Sequence, residues 1–526
     1  MKQVVSSVVG RLVVVSLLLC AAAALQASDV DLLDRMIKIT DTKGTRYQLL
    51  KQVSQQSGYF FIYDSQLVNN NEVVKIRKGE YTIRNAIYAI TGNNQLEISI
   101  VGRHILFNLP TPHNLTSNLQ QTNARRFFTI RGVVYDHASQ EAIPYVTVSI
   151  NDAIMGTVTN QNGEFKITIP DSLRQSVVKL SHVGYESVTF QASSLRDKYM
   201  EFLLEPKIIS LQEVVVRAVN PLHVMQDMLS EREHNYSSVP VYLTTFYREV
   251  IEHKKKNIDL TEAVLKVYKT SYQKTNATDQ VKLIKMRHVL KKQESDTIFT
   301  KMRSGISSCL ILDVMRNLPD FLTPKNGETP YVYAYTDMSV VDNRRVYVIS
   351  FEQKKEVKEP LYKGQLFIDA ENYALLEAHF DVNPAYVAKA TDMFVEKKSR
   401  DFNLTLRRVS YTVSYKPSGD SIYYVNHVRG DLEFKVKRKR HFFSSALNLW
   451  FEMVNCKVDR ENIKRFPRDE RLSTRTVFSE TKYKYDADFW EHFNVIVPEE
   501  ELKELIMNNL GEVTPTPALG EADEEE

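Results

Sequence analysis

The sequence predicts a multidomain chain of α+β and all-β character: a small αβ N-terminal domain, an antiparallel β-sandwich and a large antiparallel β-rich C-terminal domain. Three observations carry this. Before residue 108, helical-period apolar residues followed by Gly and then by an aromatic or β-branched run occur twice. Between residues 130 and 185 the runs are short, β-branched and period-two, each bounded by Gly, Pro or Asn. Beyond about residue 239, strands rich in Tyr, Phe and Val follow one another with few helical patterns. At 526 residues the chain has room for two to four domains, and 43% hydrophobic with 25% charged residues is the balance of an ordinary folded protein.

Lys2 and Arg11 precede and interrupt an apolar run over residues 4–25, which ends in small residues with a cleavage site at Leu25-Gln26-Ala27. Residues 1–27 read as a signal peptide, and the protein as exported, to the periplasm or the periplasmic face of the outer membrane. The uninterrupted core from Leu12 is short for a bilayer span. Lipidation at Cys20 is the alternative to cleavage after Ala27, although Leu19 stands where lipoprotein signals place a small residue. After cleavage Cys309 and Cys456 remain, either paired in an oxidising compartment or buried as small hydrophobes. No later stretch approaches about 18 apolar residues, so no transmembrane helix is expected in the mature chain.

Residues 36–108 form the αβ domain. Leu49, Leu50 and Val53 share a helical face that stops at Gly58 and passes into the strand 59–63. Thr82 then caps a helix carrying Ile83, Ala86, Ile87 and Ile90, Gly92 ends it, and strands over 96–100 and 105–108 follow. The phrase L-L-x-x-V-S-x-x-S-G-Y-x-F-x-Y-D over residues 49–64, with the second helix ending Ile90-Thr91-Gly92, resembles the short N-terminal (STN) domain of secretins and TonB-dependent receptors. That resemblance implies contacts with other envelope proteins, and in some members a signal relayed to an inner-membrane regulator. Residues 109–126, rich in Pro, Asn, Thr and Gln without periodicity, read as a linker.

The sandwich spans residues 127–206. Ile130-Arg131-Gly132-Val133-Val134-Tyr135-Asp136, the run 142–150 and the run 156–170, closing on His182-Val183-Gly184-Tyr185, carry its strands, and Asn162-Gly163 between Val158 and Phe165 reads as a hairpin turn needing φ > 0. The series G-V-V-x-D, P-x-x-V-T-V, G-T-V-T-x-x-N-G-x-F, G-Y resembles the carboxypeptidase regulatory-like domain, a transthyretin-like sandwich common in envelope proteins of Bacteroidetes, with Asn160 where the family usually has Asp. The resemblance implies a positioning module rather than a reaction.

Residues 207–238 connect onward. Leu211-Gln212-Glu213-Val214-Val215-Val216 is either the last sandwich strand or, by its likeness to the segment that follows this sandwich in TonB-dependent receptors, a TonB-linked strand. Asn220-Pro221 starts a helix over 222–233 with Val224, Met228 and Leu229 as its apolar stripe. Too few ten-residue strands remain for a large receptor barrel. In residues 239–510, strands are expected over 346–351, 362–369, 375–380, 409–415, 423–428 and 432–436, with turns at 370–372 and 417–420, and a helix over 499–508. The Y-x-G-x-L-F-I-D run and the Asn220-Pro221, Tyr242, Phe246–Glu249 phrase resemble an uncharacterised Bacteroidetes family in which this region follows the same sandwich. The sheet is comparable by analogy to the half-barrel of periplasmic lipoprotein carriers, its concave face either packed or holding an apolar ligand. Residues 511–526 are acidic and read as a disordered tail.

The pattern lacks the residue spacings of the common hydrolytic and nucleotide-binding sites. None of the twelve His residues has a Glu three positions later, and there is no H-E-x-x-H, so zinc hydrolysis lacks its ligands. Gly305-Ile306-Ser307 lacks the second Gly of a nucleophile elbow, and both nucleotide-cradling Gly-rich motifs are missing. Asp369 and Glu371 fall in a turn, where carboxylates are ordinarily solvated. Tyr331, Tyr333 and Tyr335 alternate as a strand face does. The run Lys435-Val436-Lys437-Arg438-Lys439-Arg440-His441 either meets lipid head groups or guards a hairpin tip against sheet-to-sheet aggregation. No catalytic, cofactor-binding or metal-binding residue is expected, and a net charge of +3 is too small for a general nucleic-acid binder. The expected function is that of a non-enzymatic envelope protein linked to TonB-dependent transport or signalling, with envelope proteins as its partners and lipid or the outer-membrane surface as a further candidate. The alternative is a periplasmic carrier or chaperone for lipid or outer-membrane protein.

Overall fold

The computed structural model of the chain describes residues 32–63, 68, 72–101, 104–108, 127–150, 155–196, 198–207, 219–254, 257–273, 277–291, 305–323, 329–342, 344–395, 401–418, 421–440, 442–473, 489–490 and 493–509. The expected signal peptide with Cys20, the linker over 109–126, the segment 211–216 and the acidic tail lie outside the described residues. The chain divides into two compact units, Met1–Asn118 and Leu119–Glu526.

In the first unit, β1 (Met36–Ile39) pairs antiparallel with β5 (Gly79–Thr82), and β2 (Lys43–Thr45) with β4 (Val73–Lys75). β3 (Phe60–Tyr63) runs parallel to β7 (His104–Asn108), which pairs antiparallel with β6 (Glu97–Val101). Two helices pack with them, α1 (Arg46–Ser57) and α2 (Ile83–Thr91). Their starts are set by side chains: Thr45 Oγ1 accepts the Gln48 N–H, Gln48 Oε1 accepts the Thr45 N–H, and Thr82 Oγ1 accepts the Asn85 N–H. Both helices end where expected, at Gly58 and Gly92 in the left-handed region. Leu49, Leu50 and Val53 from α1 meet Ile83, Ala86, Ile87 and Ile90 from α2 over Ile37, Ile39, Ile105 and Phe107.

The second unit begins with the sandwich. One of its sheets is β11 (Glu164–Pro170), β8 (Phe127–Asp136) and β14 (Tyr199–Leu204); the other is β13 (Val188–Gln191), β12 (Val177–Ser181), β9 (Thr147–Ile150) and β10 (Met155–Val158). Two expectations change here. β14 pairs parallel to β8, so the sandwich is not wholly antiparallel. The Asn162-Gly163 turn is not a hairpin: β10 pairs with β9 and β11 with β8, so the turn is an arch between the two sheets. The positive φ was correctly placed, since Gly163 has φ 74, and a Cβ there would lie 2.5 Å from the Val134 carbonyl oxygen.

After α3 (Pro221–Ser230) and the short α4 (Arg232–Asn235) comes a large curled sheet. Its strands are β15 (Val241–His253), β16 (Asn257–Lys269), β17 (Gln280–Lys291), β18 (Tyr331–Val341), β19 (Arg344–Gln353), β20 (Tyr362–Asp369), β21 (Leu375–Val382), β22 (Phe402–Ser418), β23 (Ile422–Arg438) and β24 (Ser444–Asp459). The helices α5 (Ile306–Ile311) and α6 (Thr391–Phe394) lie between strands in sequence, and α7 (Glu500–Asn509) follows them. β24 is where the sheet forks. On one side it pairs with β15, which continues to β16 and β17. On its other side it pairs with β23 as far as Val454, and then Lys457 meets Met155 of β10. The sandwich sheet and the curled sheet are thereby one hydrogen-bonded surface.

The runs 423–428 and 432–436, expected as two strands, are a single strand of 17 residues. Gly430 sits between them not as a turn but because Phe451 lies on it: a Cβ there would meet the ring at 2.4 Å. α3 has the expected stripe, with Val224, Met225 and Met228 buried, and the Asn220 side chain accepting the Leu222 N–H.

Candidate functional site

The face around which the sheet curls is packed by its own side chains. Phe321 stacks on Phe351 with ring centroids 4.4 Å apart and also meets Phe380, Tyr331 and Tyr362. Tyr236, fully buried, meets Tyr272, Tyr415 and Tyr423. Among these rings lies a polar cluster: Lys269 Nζ is 2.6 Å from Asp313 and 2.8 Å from Asp279, and Asp313 accepts the Tyr272 and Tyr415 hydroxyls at 2.9 and 2.8 Å. Burial lowers the Lys269 pKa, but Asp313 and Asp279 outweigh it and hold the ammonium charged. Burial together with Asp313 pushes the Tyr272 and Tyr415 phenols well above their ordinary value. The cluster ties Lys269 of β16 to Asp279 and Asp313 inside the sheet.

The opposite face of β15, β16 and β24 is covered by the C-terminal segment. Phe246, Arg248 and Val250 alternate onto this face while Leu243 and Tyr247 point to the other. Trp490, Val495 and Ile496 cover Phe246, Val264, Val454 and Cys456; Leu502, Leu505 and Ile506 of α7 cover Val250, Leu260 and Val289. Beneath them Arg248 has no exposed surface. It reaches Glu262 at 2.6 Å and Glu452 at 3.1 Å, and donates to the Ile496 carbonyl at 2.6 Å. Arg287 completes Glu262, stacking on the Trp490 ring at 4.6 Å, while Arg429 lies 3.5 Å from Glu452 and over Trp450. Burial raises the Glu452 carboxyl, but His427, Arg248 and Arg429 outweigh it and bring the pKa down to about 2. The segment is also tied to the sandwich: Asn494 Oδ1 accepts the Thr168 N–H at 2.5 Å, and Asn160 donates to the Val497 carbonyl.

The far end of the long strands is different in kind. β22 and β23 are paired from Ser418↔Ile422, beside the sandwich, to Phe402↔Arg438 at the other end. Seventeen residues at about 3.3 Å each carry that end about 50 Å away. There the β23–β24 connection exposes Lys437, Arg438, Lys439 and Arg440, with Arg440 at φ 66. Phe442 and Phe443 follow at 96% and 90% exposure. Beside this tip, α6 exposes Met393, and an open cleft of about 390 Å³ is lined by Lys389, Thr391, Asp392, Phe402 and Lys439. The Lys439 N–H donates to the Asp401 carbonyl, fixing the start of the turn.

The residues singled out by sequence are scattered through these regions. Asp369 is buried, paired with Arg344 at 2.7 Å, and its Oδ1 accepts the Glu371 N–H; it is the hinge of a turn rather than a solvated carboxylate. Tyr331 is buried and Tyr333 and Tyr335 are half-buried in aromatic packing. Ser307 lies in the first turn of α5, two residues after Gly305. Cys309 and Cys456 are both free thiols, buried in separate clusters. The basic run lies at the hairpin tip, with His441 outside the described residues. Sequence reading missed Arg248, whose signal was an arginine placed between Phe246 and Val250 on an otherwise apolar strand face. Among the described residues no group of three or more His, Cys, Asp or Glu is placed to hold a metal, and no helix is long and apolar enough to cross a membrane.

Residues 130–216 match the family model for a carboxypeptidase regulatory-like domain. No curated protein matches the chain. Similar solved structures include a LolA superfamily protein from Nitrosomonas europaea, with 11% identity, 47% of this chain and 97% of that chain covered, and a TM-score of 0.17. A DUF1329 family protein from Desulfovibrio piger gives 10% identity, 47% and 96% coverage, and a TM-score of 0.22.

Proposed function

We propose that the chain is a non-enzymatic binding protein of the cell envelope, contacting partners through its N-terminal unit and through the basic, aromatic end of its large sheet. The observation that carries this is the contrast between the sheet's interior and its end: the curled sheet is filled by Phe321, Tyr236 and their neighbours, while exposed Phe442 and Phe443 stand among cations at the strand ends. Binding therefore occurs at a surface. A carrier would need the inner face for its ligand, and that face is occupied. The regulatory-like sandwich, hydrogen-bonded through β10 to β24, serves as a rigid spacer. The N-terminal unit's likeness to short N-terminal domains of secretins and TonB-dependent receptors favours an outer-membrane transport or signalling protein as its partner.

In-cell crosslinking of the tagged protein tests the reading, with the whole chain compared with one lacking residues 36–108 and with one whose hairpin tip is replaced. Loss of identified envelope proteins in either variant is expected. Unchanged capture in both, or a chelator-sensitive hydrolase activity of the purified chain, would refute it.

A further inference from the structure

We infer that the tip of the β23–β24 hairpin seats on a lipid bilayer surface carrying anionic head groups; this rests on reading that end of the sheet as a docking surface. Lys435, Lys437, Arg438, Lys439 and Arg440 supply five positive charges, and the sequence holds no carboxylate between Glu433 and Glu452. The acids nearby are on the flank or further along the strands: Asp392 and Asp401 beside the tip, and Glu433 and Glu252 on either side of Asn448. A surface built for a protein partner ordinarily mixes charge signs and presents some 800 Å² of shaped area. Here β23 and β24 stay paired to Lys437↔Ser444, beyond the last β15 pair at His253↔Leu447, and the two most exposed apolar rings, Phe442 and Phe443, lie at the turn itself.

A bilayer interface asks for what is present. It takes up a protruding ring without shape complementarity, while lysine and arginine stems lie along the apolar boundary with their charges among the head groups. Met393 on α6 adds a third exposed apolar side chain at the same end, and Lys389 another cation beside the cleft. Guarding the hairpin against sheet pairing would explain the charges alone, since lysines suffice for that, but adjacent exposed phenylalanines work against it. The two residue types are explained together by an anionic, apolar-backed surface. The distance of about 50 Å along β23 leaves the sandwich clear of that surface.

Each basic residue at an anionic bilayer surface is worth about fivefold in binding. The purified chain is sedimented with phosphatidylcholine vesicles made with and without phosphatidylglycerol, at low and at physiological ionic strength. Binding should require phosphatidylglycerol and weaken with salt. The variant K437S/R438S/K439S/R440S should lose about two to three orders of magnitude, and F442S/F443S should lose binding at unchanged melting temperature, because these rings touch no core. F443W should shift its emission to the blue only with anionic vesicles. Binding indifferent to phosphatidylglycerol, binding retained by F442S/F443S, or an unshifted F443W emission would overturn the proposal. So would a tip whose substitution turns an oligomer into a monomer, which would assign it to a second copy. If vesicle binding fails while crosslinking still captures envelope proteins, the lipid assignment falls and the interaction-protein reading stands.

Discussion

Replacing Arg248 by methionine, which keeps the stem but removes the charge, tests whether the C-terminal segment is held by the buried ions or only by its apolar side chains. In the native protein Arg248 is bonded to Glu262, Glu452 and the Ile496 carbonyl, all without exposure to water. Glu262 keeps Arg287, but Glu452 is left with Arg429 at 3.5 Å and His427 at 3.8 Å, and the Ile496 carbonyl has lost the donor Arg248 supplied. Removing one partner of a buried ion pair costs about 3–5 kcal/mol. Unfolding entropy of about 2.1 cal/mol/K per residue, over a unit of roughly 400 residues, converts this to a fall in Tm of about 4–6 °C. The assay is calorimetry of the R248M chain, with limited proteolysis reporting release of residues 489–509. A shift under one degree with an equally protected segment would refute the reasoning, and would mean that Trp490, Ile496 and Leu505 hold the segment without help.

The remaining predictions are local. Glu499 Oε2 is buried without a hydrogen bond, and burial, only partly offset by Arg248, raises its pKa; its charged form therefore destabilises the fold increasingly as pH rises past the ordinary carboxylate value. E499Q should accordingly gain melting temperature at pH 7 and gain nothing at pH 4. Glu452 has the opposite sign: its contribution is complete above the ordinary carboxylate value and is lost as pH falls toward about 2, so E452Q should flatten the acid limb of the stability curve. G430A forces a Cβ to within 2.4 Å of the Phe451 ring and should cost about 1–3 kcal/mol, recovered in part by G430A/F451L. Burial pushes the Cys456 thiol up to about 12 and Cys309 well above its usual value, so neither should react with a thiol reagent at pH 8 until the protein is unfolded.

What could be read in the sequence was what is set by neighbours along the chain. Thr82 announced the start of α2, because a cap is made within four residues. Strand positions were legible from β-branched and aromatic runs, as at 346–351. Strand partners were not. The Asn162-Gly163 turn has hairpin chemistry, yet it joins two sheets because β9 and β8 are the better partners. The runs 423–428 and 432–436 read as separate strands because the reason for the glycine between them, the ring of Phe451, is 21 positions away. The basic run was visible as charge, and the exposed Phe442 and Phe443 beside it were visible as residues, but only the hairpin geometry shows that they stand at the same projecting turn. The buried ions were hidden because Arg248, Glu262, Arg287 and Glu452 come from four strands.

β24 has a consequence for how the chain is made. All three of its neighbours precede it, β10 by about 300 residues and β15 by about 200. A ribosome or export channel delivers the N-terminal strands first, and they must wait with open edges until residues 444–459 emerge. Pairings this remote close slowly, and the waiting edges are templates for other chains. Helper proteins that mask strand edges are most needed during that interval. A message truncated within the second unit before residue 444 leaves these edges open in place of a shorter working protein.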